Sequence, residues 1–206
     1  MKIAYLSSRV TLPGSPTRRS DAFEHDYMMD ALSPAFAALG MSLHDLAWDD
    51  PDVDWSSFDA AIIGTTWDYW NRIDEFLATL ERIGTVTALF NSAALVRWNS
   101  RKTYLKEMEA KGAELIPTLW IDALTPELAA AAFDELGSDD LVFKRQIGAG
   151  AADQHRSNAP QWETTASSRH MAERSEPSHR RLTILPRPIR SSPRLTTRLS
   201  MGGSIC

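Results

Sequence analysis

Short apolar runs alternate with amphipathic stretches along the first 90 residues, and this pattern predicts an α/β fold. Runs of four to six residues are typical of strands in a parallel sheet, and amphipathic stretches are typical of the helices that connect them. Asp21 and Glu24 have the spacing of a capping box, Gly40 is a helix stop, and Pro34 is expected to kink or divide the helix between them. The predicted strands are residues 2–7, 43–48, 60–64 and 86–90, and the predicted helices are residues 21–39 and 73–83.

After residue 90 the pattern changes to a helix, a strand, a helix and a strand. Ser100 is a candidate cap for the first of these helices. Thr125 and Pro126 form a strong helix start, with a capping side chain followed by proline at the first helical position, and Gly137 is the predicted stop. The predicted helices are residues 101–110 and 126–136, and the predicted strands are residues 115–121 and 141–144.

Beyond Gly150 neither apolar period persists, and five prolines recur among Ser, Thr and Arg. Residues 151–206 contain nine Arg, no Lys and four acidic residues, a net charge of +5, whereas residues 1–150 contain 13 basic and 23 acidic residues, a net charge of −10. This composition predicts a disordered basic tail. We therefore expect an α/β N-terminal domain over residues 1–90, an α+β unit over residues 91–150, and the tail over residues 151–206.

Composition also restricts the classes of function. No stretch approaches the roughly 18 apolar residues of a membrane span, the first apolar run is too short for a signal peptide, and the single cysteine, Cys206, excludes a disulfide framework. A cytoplasmic protein is expected. A nucleic-acid partner is disfavoured, because the acidic body repels phosphates and no aromatic pattern interleaves the arginines of the tail. His25 and His44 have no partner at ligand spacing, so no metal site is predicted.

One stretch has the composition of a phosphate site. Lys144 directly follows a buried strand and precedes a loop that contains Gly148 and Gly150. Glycines allow backbone N–H groups to approach phosphate oxygens, and an ammonium adds a point charge. The pattern is not a P-loop, in which the lysine follows the loop. The alternative is a surface lysine at the start of an ordinary turn.

Two loops carry candidate substrate residues. Residues 11–19 and 65–70 follow predicted strands, and the carboxyl ends of parallel strands are where ligands bind in such sheets. The alternative is that the aromatic side chains cover the core and the arginines are solvated. The candidates are Arg18, Arg19, Trp67, Asp68 and Tyr69.

The order of these features resembles the ATP-grasp ligases, most closely the prokaryotic glutathione synthetase-like branch. The stretch from Asn91 to Lys102 resembles the family's entry into its nucleotide domain. Residues 141–144 resemble the strand that carries the second nucleotide lysine, and residues 148–150 resemble the start of the glycine-rich phosphate loop. The preceding α/β unit resembles the family's substrate domain, so the resemblance covers residues 1–150. It implies that residues 91–150 are a partial ATP-grasp nucleotide subdomain.

The resemblance implies an ATP- and Mg²⁺-dependent ligase that joins a small-molecule carboxylate to an amine through an acylphosphate. Lys102 and Lys144 would contact the nucleotide phosphates, and backbone groups of Gly148 and Gly150 would cover the β- and γ-phosphates. The family continues with an adenine-contacting segment, magnesium-binding acids and an asparagine. No Glu-x-Asn or paired carboxylates follow Gly150 here.

We interpret the chain as the front half of a ligase joined to an unrelated tail, either by a change of reading frame or by an internal truncation. Such a copy would be inactive and would retain weak nucleotide binding. The alternative is a noncatalytic α/β module that binds a small molecule.

Overall fold

The computed structural model describes residues 1–148, 154–158 and 182–186. Its first part is a four-stranded parallel sheet of order β2-β1-β3-β4, which confirms the predicted α/β class. Each strand was located from sequence to within two residues at either end. The strands are β1 (Lys2–Ser7), β2 (Ser42–Ala47), β3 (Ala60–Ile63) and β4 (Ala88–Phe90).

The core of this part lies between the sheet and helix α2 (Ile73–Val86). The helix buries Phe76, Leu80 and Ile83, which recur at helical spacing along one face. Trp48, which follows β2, packs edge-on against Phe76 with ring centroids 5.1 Å apart. The sheet is therefore anchored on this face by apolar contacts that the sequence pattern indicates.

Helix α1 (Phe23–Ala38) differs from its predicted form at two points. Pro34 lies inside a single helix and does not divide it. Pro34 and Asp30, the residue four positions earlier, are both exposed, so the carbonyl that loses its partner faces solvent. The predicted capping box is wrong, because the Asp21 carboxylate accepts two hydrogen bonds from Arg19 at 2.5 and 2.8 Å. Gly40 ends the helical segment with a φ of 70°, as predicted.

Helix α3 (Ala93–Asn99) was not predicted, and it moves the start of the next helix. The N–H of Ser100 donates to the carbonyl of Val96 and its hydroxyl donates to the carbonyl of Arg97, so Ser100 ends α3 and does not cap the next helix. Helix α4 (Tyr104–Ala110) begins three residues later than expected, and Lys102 lies in the turn between the two helices. Ala93 and Val96 pack against the first core.

The second part is a four-stranded antiparallel sheet of order β5-β8-β6-β7. One face packs on helix α5 (Pro126–Leu136), which begins and ends as predicted, with the hydroxyl of Thr125 accepting from the N–H of Leu128 and Gly137 in the left-handed region. Leu141, Phe143 and Ile184 are fully buried against that helix. The strands are β5 (Leu119–Ile121), β6 (Asp140–Arg145), β7 (His155–Asn158) and β8 (Leu182–Pro186).

Two of these strands correct the prediction of a disordered tail. β7 and β8 both lie beyond residue 150, and β8 is an inner strand that pairs with β5 on one side and β6 on the other. Ile184 is fully buried there. Residues 182–185 are four consecutive apolar or β-branched residues without an alternating pattern, so the sequence alone does not identify this strand. It is recognised only from its pairing with β5 and β6. The rest of the tail and Gly150 lie outside the described residues. Within the described ranges, no helix has the length and apolar character needed to span a membrane.

Candidate functional site

The turn that contains Lys102 is hydrogen-bonded to the loop after β6. The backbone N–H of Lys102 donates to the carbonyl of Gln146 at 2.8 Å, and its ammonium donates to the carbonyl of Gly148 at 3.4 Å. Lys144 lies near the end of β6, four residues before Gly148. The structure therefore brings together three of the four residues predicted to contact phosphates, and Gly150 lies outside the described residues.

The electrostatics of this cluster favour an anion. Burial lowers the pKa of the Lys102 ammonium below its usual range, and the positive charge of Lys144 lowers it further. Within the part of the chain that the structure describes, no carboxylate forms an ion pair with either lysine. Two like charges held together in a partly buried position are stabilised by a bound polyanion, because it neutralises both.

The sheet face that bears Lys144 is the one opposite α5. Thr183 on β8 pairs with both Lys144 and Trp120, so these three residues share a face. Thr183 is 3% exposed, and its hydroxyl has no hydrogen-bond partner among the described residues. Lys106 places its ammonium 5.4 Å from the ring centre of Trp120. Sequence reasoning missed Trp120 and Thr183, since β8 itself was not recognised.

Of the two predicted arginines, Arg19 lies closer to the other candidates. Its guanidinium carbon is 5.5 Å from the ring centre of Trp67, and its donors bind Asp21. The guanidinium of Arg18 instead binds Asp26 on α1 at 2.6 Å. Both arginines are therefore paired with carboxylates in this structure, and only Arg19 meets a candidate aromatic residue.

Asp68 and Tyr69 are engaged with the first core. The Asp68 carboxylate accepts from the indole N–H of Trp48 at 2.9 Å and from Arg72 at 3.1 Å. The Tyr69 ring packs against Phe76 with centroids 5.3 Å apart, and burial raises the pKa of its hydroxyl. Both contacts fix the loop that follows β3, whatever the loop binds.

The loop after β3 also meets the end of β6. The guanidinium of Arg145 lies 4.6 Å from the ring centre of Trp70. Arg145 follows Lys144 directly, so the stacking contact joins the predicted substrate loop to the strand with the nucleotide lysine. The two candidate regions are therefore neighbours, although they lie about 75 residues apart in sequence.

A buried polar network supports the substrate loop, and sequence reasoning missed it. His25, expected to be ordinary, is fully buried, with its two ring nitrogens 2.7 Å from the hydroxyl of Thr65 and 2.9 Å from the carboxylate of Asp45. The hydroxyl of Ser7 donates to the second oxygen of Asp45. One feature of the sequence could have revealed it: His25 is the polar member of the helical series 22, 25, 29, 32 and 36.

The network links three strand ends to α1. The carbonyl of Thr65 also accepts from the backbone N–H of Ser8 at 3.2 Å, so the loops after β1 and β3 are held side by side. This confirms the expectation that both loops lie at one edge of the parallel sheet. A fully hydrogen-bonded buried network holds backbone groups in one arrangement.

Comparison with known proteins assigns this architecture. Residues 3–91 match the family model for the N-terminal domain of D-cycloserine synthetase DcsG. The cycloserine biosynthesis protein DcsG of Streptomyces lavendulae is 38% identical over 105 residues, which are 51% of this chain and 35% of that protein. The crystal structure of D-cycloserine synthetase DcsG matches with a TM-score of 0.72 and 28% identity, covering 91% of this chain and 59% of that one.

More distant structures share the same architecture. A RimK domain ATP-grasp protein from Sphaerobacter thermophilus matches with a TM-score of 0.60 and 16% identity, over 91% of this chain and 64% of that one. D-alanine–D-alanine ligase from Bacillus anthracis matches with a TM-score of 0.58 and 13% identity, over 91% and 58%. The fold is that of the ATP-grasp ligases.

This chain spans about a third of the curated relative and 59% of the solved D-cycloserine synthetase. The loops at the sheet edge follow strands of the first sheet, and the lysine cluster lies at the loop after β6 of the second sheet. Among the described residues, no group of three or more His, Cys, Asp or Glu side chains is placed to hold a metal ion.

Proposed function

We propose that this chain belongs to an ATP-dependent carboxylate–amine ligase and supplies its substrate-side domain and part of its nucleotide site. The convergence of Lys102, Lys144 and Gly148 carries the proposal. Two ammonium groups beside a glycine loop, with no carboxylate of the described residues paired to them, suit the phosphates of a nucleotide.

The residues of this chain would act by neutralising charge and by positioning. ATP, when bound, supplies the phosphoryl group that activates a substrate carboxylate as an acylphosphate, and an amine then displaces phosphate. Lys102 and Lys144 would bind the phosphate oxygens and stabilise the charge that develops during transfer. Their partly buried position strengthens this effect, because a low dielectric increases each charge–charge interaction. The backbone of Gly148, and of Gly150 beyond it, would cover the phosphates.

Magnesium is proposed on the family resemblance alone. ATP-grasp ligases use Mg²⁺ together with ATP, and a metal bound here would neutralise phosphate charge together with the two lysines. Among the described residues no cluster of His, Cys, Asp or Glu side chains is placed to hold a metal ion, so no residue of that part of the chain is assigned to Mg²⁺.

The substrate is proposed to be a small molecule held at the loops after β1 and β3. Residues 3–91 match the N-terminal domain of D-cycloserine synthetase, and this match supports a small-molecule substrate. The contact of Arg19 with Trp67 provides a cationic and aromatic surface at the edge of the sheet. The narrower assignment to the glutathione synthetase-like branch stays a prediction.

Because no Glu-x-Asn follows Gly150, we also propose that this copy binds ATP weakly and does not complete the reaction. β7 and β8 give residues 155–158 and 182–186 a place in the second sheet, which an unrelated tail is not expected to have. Resequencing the encoding DNA across codon 150 and translating all three frames decides between a frame change and a genuine tail. A glycine-loop continuation with acidic metal ligands in another frame would establish the frame change.

Calorimetric titration of the whole chain with ATP and with AMP tests the nucleotide role. Because the lysines would bind phosphates, ATP should bind at least tenfold more tightly than AMP in the presence of Mg²⁺. Equal affinity for the two nucleotides would contradict the role of the lysines. A folded chain that binds neither would favour the noncatalytic module, in which Arg19 and Trp67 hold a small anion.

A further inference from the structure

Helix α1 is apolar on the side that faces solvent as well as on the side that faces the sheet. Its inner side is buried at His25, which bonds Asp45 on β2. Its outer side consists of residues at the spacing of one helical face, and every one of them is exposed. This outer face of α1 is formed by Phe23, Tyr27, Met28, Ala31, Ala35 and Leu39. A helix that is apolar all round is normally buried, so the outer face is expected to have a partner.

The outer face is large for the surface of a monomer. Tyr27 is 69% exposed and Leu39 70%, and Phe23 and Met28 are 50% and 45% exposed. At about 200 Å² for a whole large side chain, these four side chains expose about 400 Å². Contiguous apolar patches of this size mark interaction sites on soluble proteins. With the alanines included, two such faces in contact would bury about 1,000 Å², the lower end of specific interfaces and suited to a micromolar dimer.

The outer face is complementary in size to a second copy of itself. Aromatic rings occupy its N-terminal half, and alanines occupy its C-terminal half. A two-fold axis at Ala31 makes the two helices antiparallel and places Tyr27 opposite Ala35 of the second copy. Phe23 then lies opposite Leu39 of the second copy. Small side chains at the axis allow the helices to approach closely, and a contact of this symmetry closes at two copies.

The charges around the outer face fit a second copy better than a membrane. Among the residues of α1, all of which the structure describes, only Glu24 puts a charge on this face, and Asp26 and Asp30 flank it. Three carboxylates would be repelled by an anionic membrane, whose interfacial helices carry Lys and Arg instead. In the antiparallel pair the two Glu24 side chains are about 20 Å apart. The two Asp30 side chains lie beside the axis, so added salt should tighten the contact.

We propose that α1 is the contact helix of a dimer of this chain, with the two outer faces packed antiparallel about Ala31. The inference goes beyond the proposed ligase function and does not rest on it, because the lysine cluster and the outer face share no residue.

Sedimentation equilibrium of the whole chain tests the proposal. Over roughly 1–200 μM the mass should rise from that of one chain, 23.0 kDa, toward twice that value. A reductant is present so that Cys206 cannot link two chains through a disulfide. Ala31→Glu places two carboxylates together at the axis and should weaken association at least tenfold. Ala37→Glu, at an exposed position away from the outer face of the same helix, is the matched control and should leave association unchanged.

A charge pair tests the antiparallel register. Ala35→Glu alone should weaken the dimer at least tenfold. Adding Tyr27→Lys to the same chain should reverse that loss, because the two-fold axis places each new ammonium opposite a new carboxylate of the other copy. Circular dichroism checks that every variant keeps the helix content of the wild type.

Three results would each overturn the proposal. They are a wild type that sediments as one chain at every concentration, a dimer weakened equally by Ala31→Glu and Ala37→Glu, and a loss in Ala35→Glu that Tyr27→Lys does not reverse. A monomer that co-sediments with phosphatidylcholine vesicles would assign the outer face to a membrane and would also contradict the dimer.

ATP affinity, measured on the same samples, separates this inference from the proposed function. Association through α1 without ATP binding would support the dimer and contradict the ligase role. A monomer that binds ATP would do the reverse.

Discussion

The ammonium of Lys102 donates to the carbonyl of Gly148 across 46 residues of sequence, at 3.4 Å. The backbone of the same lysine is fixed by Gln146, so both the turn before α4 and the loop after β6 are held by this pair of contacts. The turn and the loop hold each other in place, so the lysine cluster forms only when the second sheet is formed. This explains how Lys102 and Gly148, 46 residues apart in sequence, lie in one candidate anion site.

Replacing Lys102 should lower the affinity for ATP without lowering the stability of the fold. Lys102→Met removes a partly buried charge, so at pH 7 the free energy of unfolding should equal or exceed that of the wild type while ATP affinity falls at least tenfold. Urea unfolding and calorimetry measure the two quantities. Lys111→Met, at an exposed lysine, is the control and should change neither.

The pH dependence of that comparison follows from the lowered pKa of Lys102. Between the lowered folded-state pKa and the unfolded value of 10.5, the unfolded chain binds more protons, so this group makes stability rise with pH. The advantage of Lys102→Met should therefore shrink as pH rises through that window. An advantage that is constant from pH 7 to pH 10 would contradict the burial of this ammonium.

Two glycines should respond oppositely to alanine. A Cβ at Gly64 would lie 2.1 Å from the Tyr5 ring, and Tyr5 is itself buried, so Gly64→Ala should destabilise the protein by about 2–3 kcal/mol. Gly84, in α2, has nothing within 4 Å of its Cβ position, and Gly84→Ala should stabilise by about 0.5–1 kcal/mol. Chemical denaturation of both variants checks the prediction, and similar effects at the two positions would disprove it.

The hydrogen-bonded network around His25 should contribute substantially to the free energy of unfolding. His25→Ala removes the hydrogen bonds between the buried ring and the side chains of Asp45 and Thr65, and it should cost about 2–4 kcal/mol of unfolding free energy. His44 bonds only to the exposed hydroxyl of Ser42, so His44→Ala should cost less than about 1 kcal/mol. If both variants unfold at the same urea concentration, the network does not support the loop.

Strand β8 gives a direct test of the second sheet. Ile184 is fully buried between β5, β6 and α5, so Ile184→Ala should cost about 2–5 kcal/mol and speed amide hydrogen exchange in β6. Leu128, which is 48% exposed on α5, supplies the control, because Leu128→Ala should leave that exchange unchanged. Unchanged exchange in Ile184→Ala would place β8 outside the sheet.

Much of the first sheet could be predicted because its two central strands, β1 and β3, are short apolar runs bounded by clear turns. Residues 2–7 and Gly137 show how local chemistry sets an element, through an uninterrupted apolar run in one case and a left-handed stop in the other. The predicted strand over residues 86–90 was shortened since α2 continues to Val86.

The remaining features depend on contacts that are distant in sequence. Asp21 matched a capping box, but Arg19 competes for its carboxylate. β8 has a weak local pattern and exists through pairing on both sides. For the site, the local sequence placed Lys144 beside a glycine loop, whereas Lys102 was assigned only through the family resemblance. Its proximity to that loop depends on the turn after α3.

The most direct measurement is the ATP affinity of the whole chain and of Lys144→Ala, with Lys111→Ala as the matched control. Lys144 lies at the end of β6 beside Lys102, and Lys111 is exposed at the end of α4. The proposed nucleotide site predicts that ATP binds the wild type and the control equally, and that Lys144→Ala lowers the affinity at least tenfold without loss of the fold. Equal ATP affinity in all three proteins would contradict it.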